Sequence, residues 1–125
     1  MIDQTLPVLV VDDFKTTVRI VHSLLRQLGY ENLDEAANGE EALQKLETRD
    51  YGLVLSDWNM EPMSGIDLLV RLRATARGRK VPFVMITAET TEQNITTAKK
   101  AGADAYIIKP FSASILRDKL ASITG

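Results

Sequence analysis

Four apolar runs punctuate this chain, and each gives way to a polar residue at its carboxyl end. Val8-Leu9-Val10-Val11 leads into Asp12-Asp13, and Leu53-Val54-Leu55-Ser56 into Asp57. Phe83-Val84-Met85-Ile86 leads into Thr87, and Ala105-Tyr106-Ile107-Ile108 into Lys109. Short, β-branched runs of this kind read as buried parallel strands. Between them the apolar residues recur at helical spacing. Phe14, Val18, Val21, Leu24, Leu25 and Leu28 mark one helix, with Gly29 as its stop. Leu33 to Ala37 is short and mixed, the pattern of an edge strand. Asn38 with Glu41 resembles a capping box ahead of Ala42, Leu43 and Leu46. Ser64 with Asp67 repeats that pattern ahead of Ile66, Leu69, Val70 and Leu72. Thr90 or Thr91 opens a weaker helix carrying Ile95 and Ala98, which Gly102 ends. Ser112 caps a last helix with Ile115, Leu116, Leu120 and Ile123 on its apolar face.

Strand and helix thus alternate five times, which predicts an α/β fold with a five-stranded parallel sheet and helices on both faces. Right-handed crossovers leave few topologies. The runs before Asp12 and before Asp57 are the most continuously apolar and are expected near the sheet centre. In an open parallel sheet all carboxyl ends share one edge, and ligands bind in the crevice outside it. Asp12, Asp13, Asp57, Thr87 and Lys109 are therefore expected to meet there.

Composition narrows the chemistry. The chain has 125 residues, no Cys and one His, which suits a single domain spanning residues 1–125 with no output domain. Disulfides and thiolate metal sites are excluded. No apolar stretch approaches the roughly 20 residues of a membrane span. The opening Met1-Ile2-Asp3-Gln4-Thr5 has no signal-peptide pattern, so a cytoplasmic protein is expected. A net charge of −2 argues against nucleic acid as the main partner.

Three crowded carboxylates repel one another and resist ionisation. A divalent cation together with the Lys109 ammonium balances Asp12, Asp13 and Asp57, and oxygen ligands make Mg2+ the natural ion. A carboxylate can then attack phosphorus, as in aspartyl-phosphate enzymes. The cation, Lys109 and the Thr87 hydroxyl suit the stabilisation of phosphoryl oxygens. Asp57 stands alone at its strand end and is the expected nucleophile; the adjacent Asp12 and Asp13 read as ion holders. Each residue alone has a plainer reading: Asp12-Asp13 as a helix cap, Asp57 as a turn residue, Thr87 as an ordinary strand residue, Lys109-Pro110 as a strand end. Their joint placement is what favours chemistry. His22, Trp58 and Tyr106 read as structural, and the run Arg71, Arg73, Arg77, Arg79, Lys80 as a solvated surface. A haloacid-dehalogenase-type phosphatase also uses a strand-end Asp and Mg2+, but needs an acid two residues later, where this chain has Asn59.

Taken together, Val11-Asp12-Asp13, Asp57, Thr87-Ala88 and Lys109-Pro110-Phe111 resemble a bacterial response-regulator receiver domain over essentially the whole chain. The likeness is strongest to chemotaxis members, through Ser56-Asp57-Trp58-Asn59-Met60 and Tyr106. This resemblance implies strand order 2-1-3-4-5. It implies that Asp57 accepts a phosphoryl group from a histidine kinase. It implies that Asp13, Asp57 and the backbone carbonyl of Asn59 hold Mg2+, with Asp12 acting through water. Lys109 is expected to contact the phosphoryl group, and the Lys109-Pro110 bond is expected to be cis. Thr87 is expected to shift toward it, and Tyr106 to swing from exposed to buried. Asn59 and Glu89 would tune the lifetime of the modified state. The expected output is a phosphorylation-dependent protein target such as a flagellar switch protein, with the chain a monomer. Alternatives are a phosphate sink, a phosphorelay shuttle, or a Mg2+-dependent phosphatase. Met60-Glu61-Pro62-Met63 departs from the chemotaxis pattern by placing Glu61 where a proline is usual.

Overall fold

The computed structural model describes residues 4–88 and 91–123. The four apolar runs form β1 (Val8–Val11), β3 (Leu53–Asp57), β4 (Phe83–Thr87) and β5 (Ala105–Ile108), and the mixed segment forms β2 (Leu33–Ala36). The helices are α1 (Lys15–Gln27), α2 (Gly39–Thr48), α3 (Gly65–Arg73), α4 (Glu92–Ala101) and α5 (Ala113–Ala121). All strand pairs are parallel, in the order β2-β1-β3-β4-β5. β1 and β3 are internal and β2 lies at an edge, as the apolar patterns predict.

Side chains alternate across a strand, so each strand supplies two cores. Leu9, Val11, Val54, Phe83 and Met85 pack with α2, α3 and α4. Val8, Val10, Leu53, Leu55, Val84 and Ile86 pack with α1 and α5. Both faces of the sheet are covered, which is why its strands read as continuous apolar runs.

The helix starts follow the sequence closely. Ser64 and Asp67 make a full capping box. Asn38 accepts from the Glu41 N–H, but Glu41 reaches back to the Ala37 N–H, one residue short of the reciprocal bond. Thr91 caps α4; Thr90 and Glu89 lie outside the described residues. Gly29 and Gly102 end their helices at φ of 97° and 107°, where a side chain is strained.

Three apolar residues expected on buried faces are exposed: Phe14, Val70 and Ile115. Phe14 precedes the first turn of α1. In α3 the inward stripe is Gly65, Leu68, Leu69 and Leu72, a spacing that turns Val70 outward. In α5 it is Leu116 and Leu120, which leaves Ile115 outside.

The basic run is not uniformly solvated. Arg73 is largely buried and donates to the carbonyls of Gly102, Gly78 and Val81 and to the Asp104 carboxylate. It ties α3 to the start of β4 and to the α4–β5 corner. Among the described residues, Arg77 makes only a long pair with Asp50, at 3.6 Å. His22 bonds the Asp34 carbonyl at 3.2 Å, a structural role. Asp34 also accepts from the Tyr51 hydroxyl, and burial together with that bond pushes the Tyr51 phenol up to about 12.

Candidate functional site

The last rung of the sheet fixes the backbone next to the site side chains. The Asp12 N–H donates to Ala36 O at 3.1 Å, the Trp58 N–H to Ile86 O at 3.0 Å, and the Lys109 N–H to Thr87 O at 2.8 Å. These bonds join the ends of β1 and β2, of β3 and β4, and of β4 and β5, and the β1–β3 register completes the edge, so residues far apart in sequence converge there.

The structure brings Asp12, Asp13 and Asp57 together, with one carboxylate oxygen of each lying within 4.8 Å of the others. Lys109 Nζ sits 2.9 Å from Asp57 Oδ1 and 3.6 Å from Asp12 Oδ2. Asp12 and Asp57 are buried, at 5% and 8% exposure, whereas Asp13 is exposed. Desolvation raises the Asp12 pKa above the ordinary carboxylate value, and the charges of Asp57 and Asp13 add to it. The Phe14 N–H and Lys109 pull the other way. Asp12 Oδ1 accepts that Phe14 N–H at 3.0 Å, while the N-cap of α1 is Phe14 itself, with no side-chain cap. The helix-cap reading of Asp12 therefore reduces to a local turn.

Beside Asp13 opens a cleft of about 340 Å³ lined by Asp13, Asn59, Met60 and Glu61. Three clustered carboxylates against one ammonium leave two formal negative charges. The donors are all oxygen, without imidazole or thiolate. Such a set fits a hard divalent cation of the Mg2+ class, which takes one or two carboxylates and keeps several waters.

Thr87 ends β4 with no exposed surface, and Lys109-Pro110 is cis, as the resemblance implies. Glu61-Pro62 is a second cis bond, which the sequence reading did not anticipate. For Tyr106 the resemblance implies an exposed starting position; the structure instead places the ring inward, at 8% exposure. It packs edge-on against Trp58, with centroids 6.4 Å apart and planes at 77°. Apolar burial and the aromatic edge contact both favour that position.

Sequence reasoning passed over Gly65. A Cβ at that residue would lie 2.3 Å from Asp57 O and 3.0 Å from Trp58 Cα. Its N–H donates to Trp58 O at 2.9 Å, so the start of α3 closes against the strand that carries Asp57. The available signal was its place directly after the Ser64 cap, where a bare backbone suits close approach. Glu89, expected to tune lifetime, lies outside the described residues.

A family model described as the response regulator receiver domain matches residues 8–121. The chain is similar to chemotaxis protein CheY-3 of Vibrio cholerae, at 45% identity over 123 residues, covering 98% of this chain and 95% of the relative. It is 43% identical to chemotaxis protein CheY of Pseudomonas aeruginosa over 116 residues, covering 93% and 94%. Among solved structures it resembles Vibrio cholerae CheY4, with a TM-score of 0.87 and 31% identity, covering 95% of this chain and 98% of that one. It also resembles the receiver domain of a Pseudomonas aeruginosa sensor histidine kinase, with a TM-score of 0.83 and 28% identity, covering 92% and 93%. That structure is described with a magnesium ion coordinated in its active-site cleft.

Proposed function

This chain belongs to the response regulator receiver domain family, and on that premise we propose that it is a phospho-switch in which Asp57 accepts a phosphoryl group from a histidine kinase. The observation that carries this reading is the contact between Lys109 Nζ and Asp57 Oδ1 at 2.9 Å, inside a cluster that includes Asp12 and Asp13. Receiver domains of this kind are signalling switches rather than turnover enzymes.

In the transfer, a carboxylate oxygen of Asp57 forms a bond to phosphorus as the phosphorus–nitrogen bond of a phosphohistidine breaks. The released imidazole nitrogen keeps the electron pair of that bond. Asp57 is left as an acyl phosphate. Lys109 sits where its ammonium can follow the charge from the carboxylate to the phosphoryl oxygens. Thr87, at the end of the neighbouring strand β4, would donate its hydroxyl to one of those oxygens. Asp12, Asp13, Asp57 and the Asn59 carbonyl are the groups that would hold Mg2+, which when bound supplies neutralisation of the phosphoryl oxygens. The magnesium described in the Pseudomonas receiver supports the choice of ion.

The CheY relatives, named as chemotaxis proteins, support a chemotaxis output; for its target we propose a flagellar switch protein. A phosphatase acting on small esters is disfavoured by Asn59, which cannot serve as the general acid.

Acetyl phosphate with Mg2+ should place one phosphoryl group on the protein. The adduct should be lost in hydroxylamine, as a mixed anhydride is. Intact-mass measurement of wild type and Asp57→Asn is the test. Wild type should gain one group and the variant none; full labelling of the variant would remove Asp57 from this role.

A further inference from the structure

We propose that Glu61 is an electrostatic gate on this site, one that strengthens capture of the divalent cation and disfavours entry of free anionic phosphodonors. The inference rests on the phospho-switch reading and adds a determinant of donor choice to it. Glu61 is exposed and lines the same cleft as Asp13 and Asn59. Among the described residues no hydrogen bond or ion pair engages its carboxylate, whereas the acids deeper in the site are engaged. Asp57 pairs with Lys109, and Asp12 with Lys109 and the Phe14 N–H.

Charge counting gives the direction. Asp12, Asp13 and Asp57 sum to three negative charges, which Lys109 and a divalent ion cancel. Glu61 is the charge left over. It therefore attracts the cation when the cleft is empty of it, and repels a phosphate when the cation is in place. The carboxylate faces solvent, so the interaction acts through a high dielectric. A unit charge several ångströms away then changes affinity for a divalent ion by about three- to tenfold. Salt weakens it, since screening at about 1 M acts over roughly 3 Å. The effect on a donor scales with the donor's charge. Acetyl phosphate is a dianion near neutral pH and phosphoramidate a monoanion, so removing Glu61 should help the former more.

The experiment compares wild type, Glu61→Gln and Glu31→Gln, the last an exposed acid just ahead of β2 at the opposite end of the sheet. Mg2+ titration is followed by Trp58 fluorescence, and labelling by intact mass with each donor at saturating Mg2+. Glu61→Gln should weaken Mg2+ binding by about three- to tenfold. It should speed labelling by acetyl phosphate by about threefold and by phosphoramidate less, and both changes should shrink in about 1 M salt. Glu31→Gln should match wild type. Equal Mg2+ affinity and equal rates in Glu61→Gln and wild type overturn the gate and leave the Asp57 reading standing. Slower labelling of Glu61→Gln at saturating Mg2+ also overturns it, because Glu61 would then assist transfer. If wild type takes no label on Asp57, the phospho-switch reading fails, and the Mg2+ titration alone decides whether Glu61 acts on the cation.

Discussion

Holding Asp12 in a buried pocket costs the fold something, and the direction of its titration shows where. Burial raises its pKa, the Phe14 N–H opposes that, and Asp57 raises it again. The folded state therefore binds the proton more tightly than the unfolded chain does. Above the folded pKa the ionised carboxylate destabilises the protein. That penalty fades as pH falls through the folded value and is gone below the unfolded value of about 3.9. Asp12→Asn keeps an Oδ1 acceptor for the Phe14 N–H and removes the charge, so it should raise Tm at neutral pH in the presence of a chelator. The gain should vanish near pH 3, and Mg2+ binding should weaken. Paired thermal melts at the two pH values check this, and a lower Tm at neutral pH would show that the Lys109 pair outweighs burial. A residue whose neutral analogue folds better is retained for its chemistry.

α4 is held differently from the other helices. Of its described residues only Ala98 is buried, whereas α3 buries Gly65, Leu68, Leu69 and Leu72. Its carboxyl end is fixed through Gly102 and Asp104, both bonded by Arg73 of α3. Arg73→Met keeps much of the side-chain volume but leaves the Gly78, Val81 and Gly102 carbonyls and the Asp104 carboxylate without that donor. Unpaired buried polar groups cost about 1–3 kcal/mol each when nothing replaces the partner. Urea unfolding should therefore show a loss of at least about 2 kcal/mol, with faster hydrogen exchange at residues 78–81 and 102–104. A loss below about 0.5 kcal/mol would return Arg73 to the solvated surface that the sequence suggested. That misreading has a physical source. Residues 71–80 carry five basic side chains, and nothing local distinguishes the one that turns inward; its acceptors lie up to 31 residues away. Strand ends and caps were legible because they depend on neighbours in sequence, as at Ser64 with Asp67. Which of Leu68, Leu69 and Val70 face inward depends on where the sheet lies relative to the helix.

At the scale of the whole molecule, one sheet edge gathers the acidic cluster and Lys109, and the neighbouring surface is where we expect the readout. The convergence of Asp12, Asp13, Asp57, Thr87 and Lys109 was legible because a parallel sheet leaves no other place for strand ends to go. The inward position of Tyr106 was not, since it is decided by packing against Trp58 rather than by any local pattern. Those two aromatics link the edge to the surface. Trp58 follows Asp57 in the chain, and its ring meets Tyr106 on β5, two strands away across β4, where Thr87 sits. A phosphoryl group that draws the Thr87 hydroxyl toward Asp57 would change the space beside Tyr106 and so shift the population of ring positions. The surface of α4, β5 and α5 would register the shift. It exposes Lys99 and Lys100 on α4, Ile108 on β5 and Ile115 and Lys119 on α5, a mix of cationic and apolar side chains that suits an acidic, amphipathic segment of a target. Beryllofluoride with Mg2+ stands in for the phosphoryl group. It should raise affinity for a captured target by about tenfold or more, the range of ordinary allosteric coupling. Tyr106→Ala should lose most of that difference while still taking acetyl phosphate label on Asp57, which separates a failed switch from a failed site. If Tyr106→Ala keeps the full beryllofluoride-dependent gain, the signal reaches the surface by a route that does not pass through the aromatic pair.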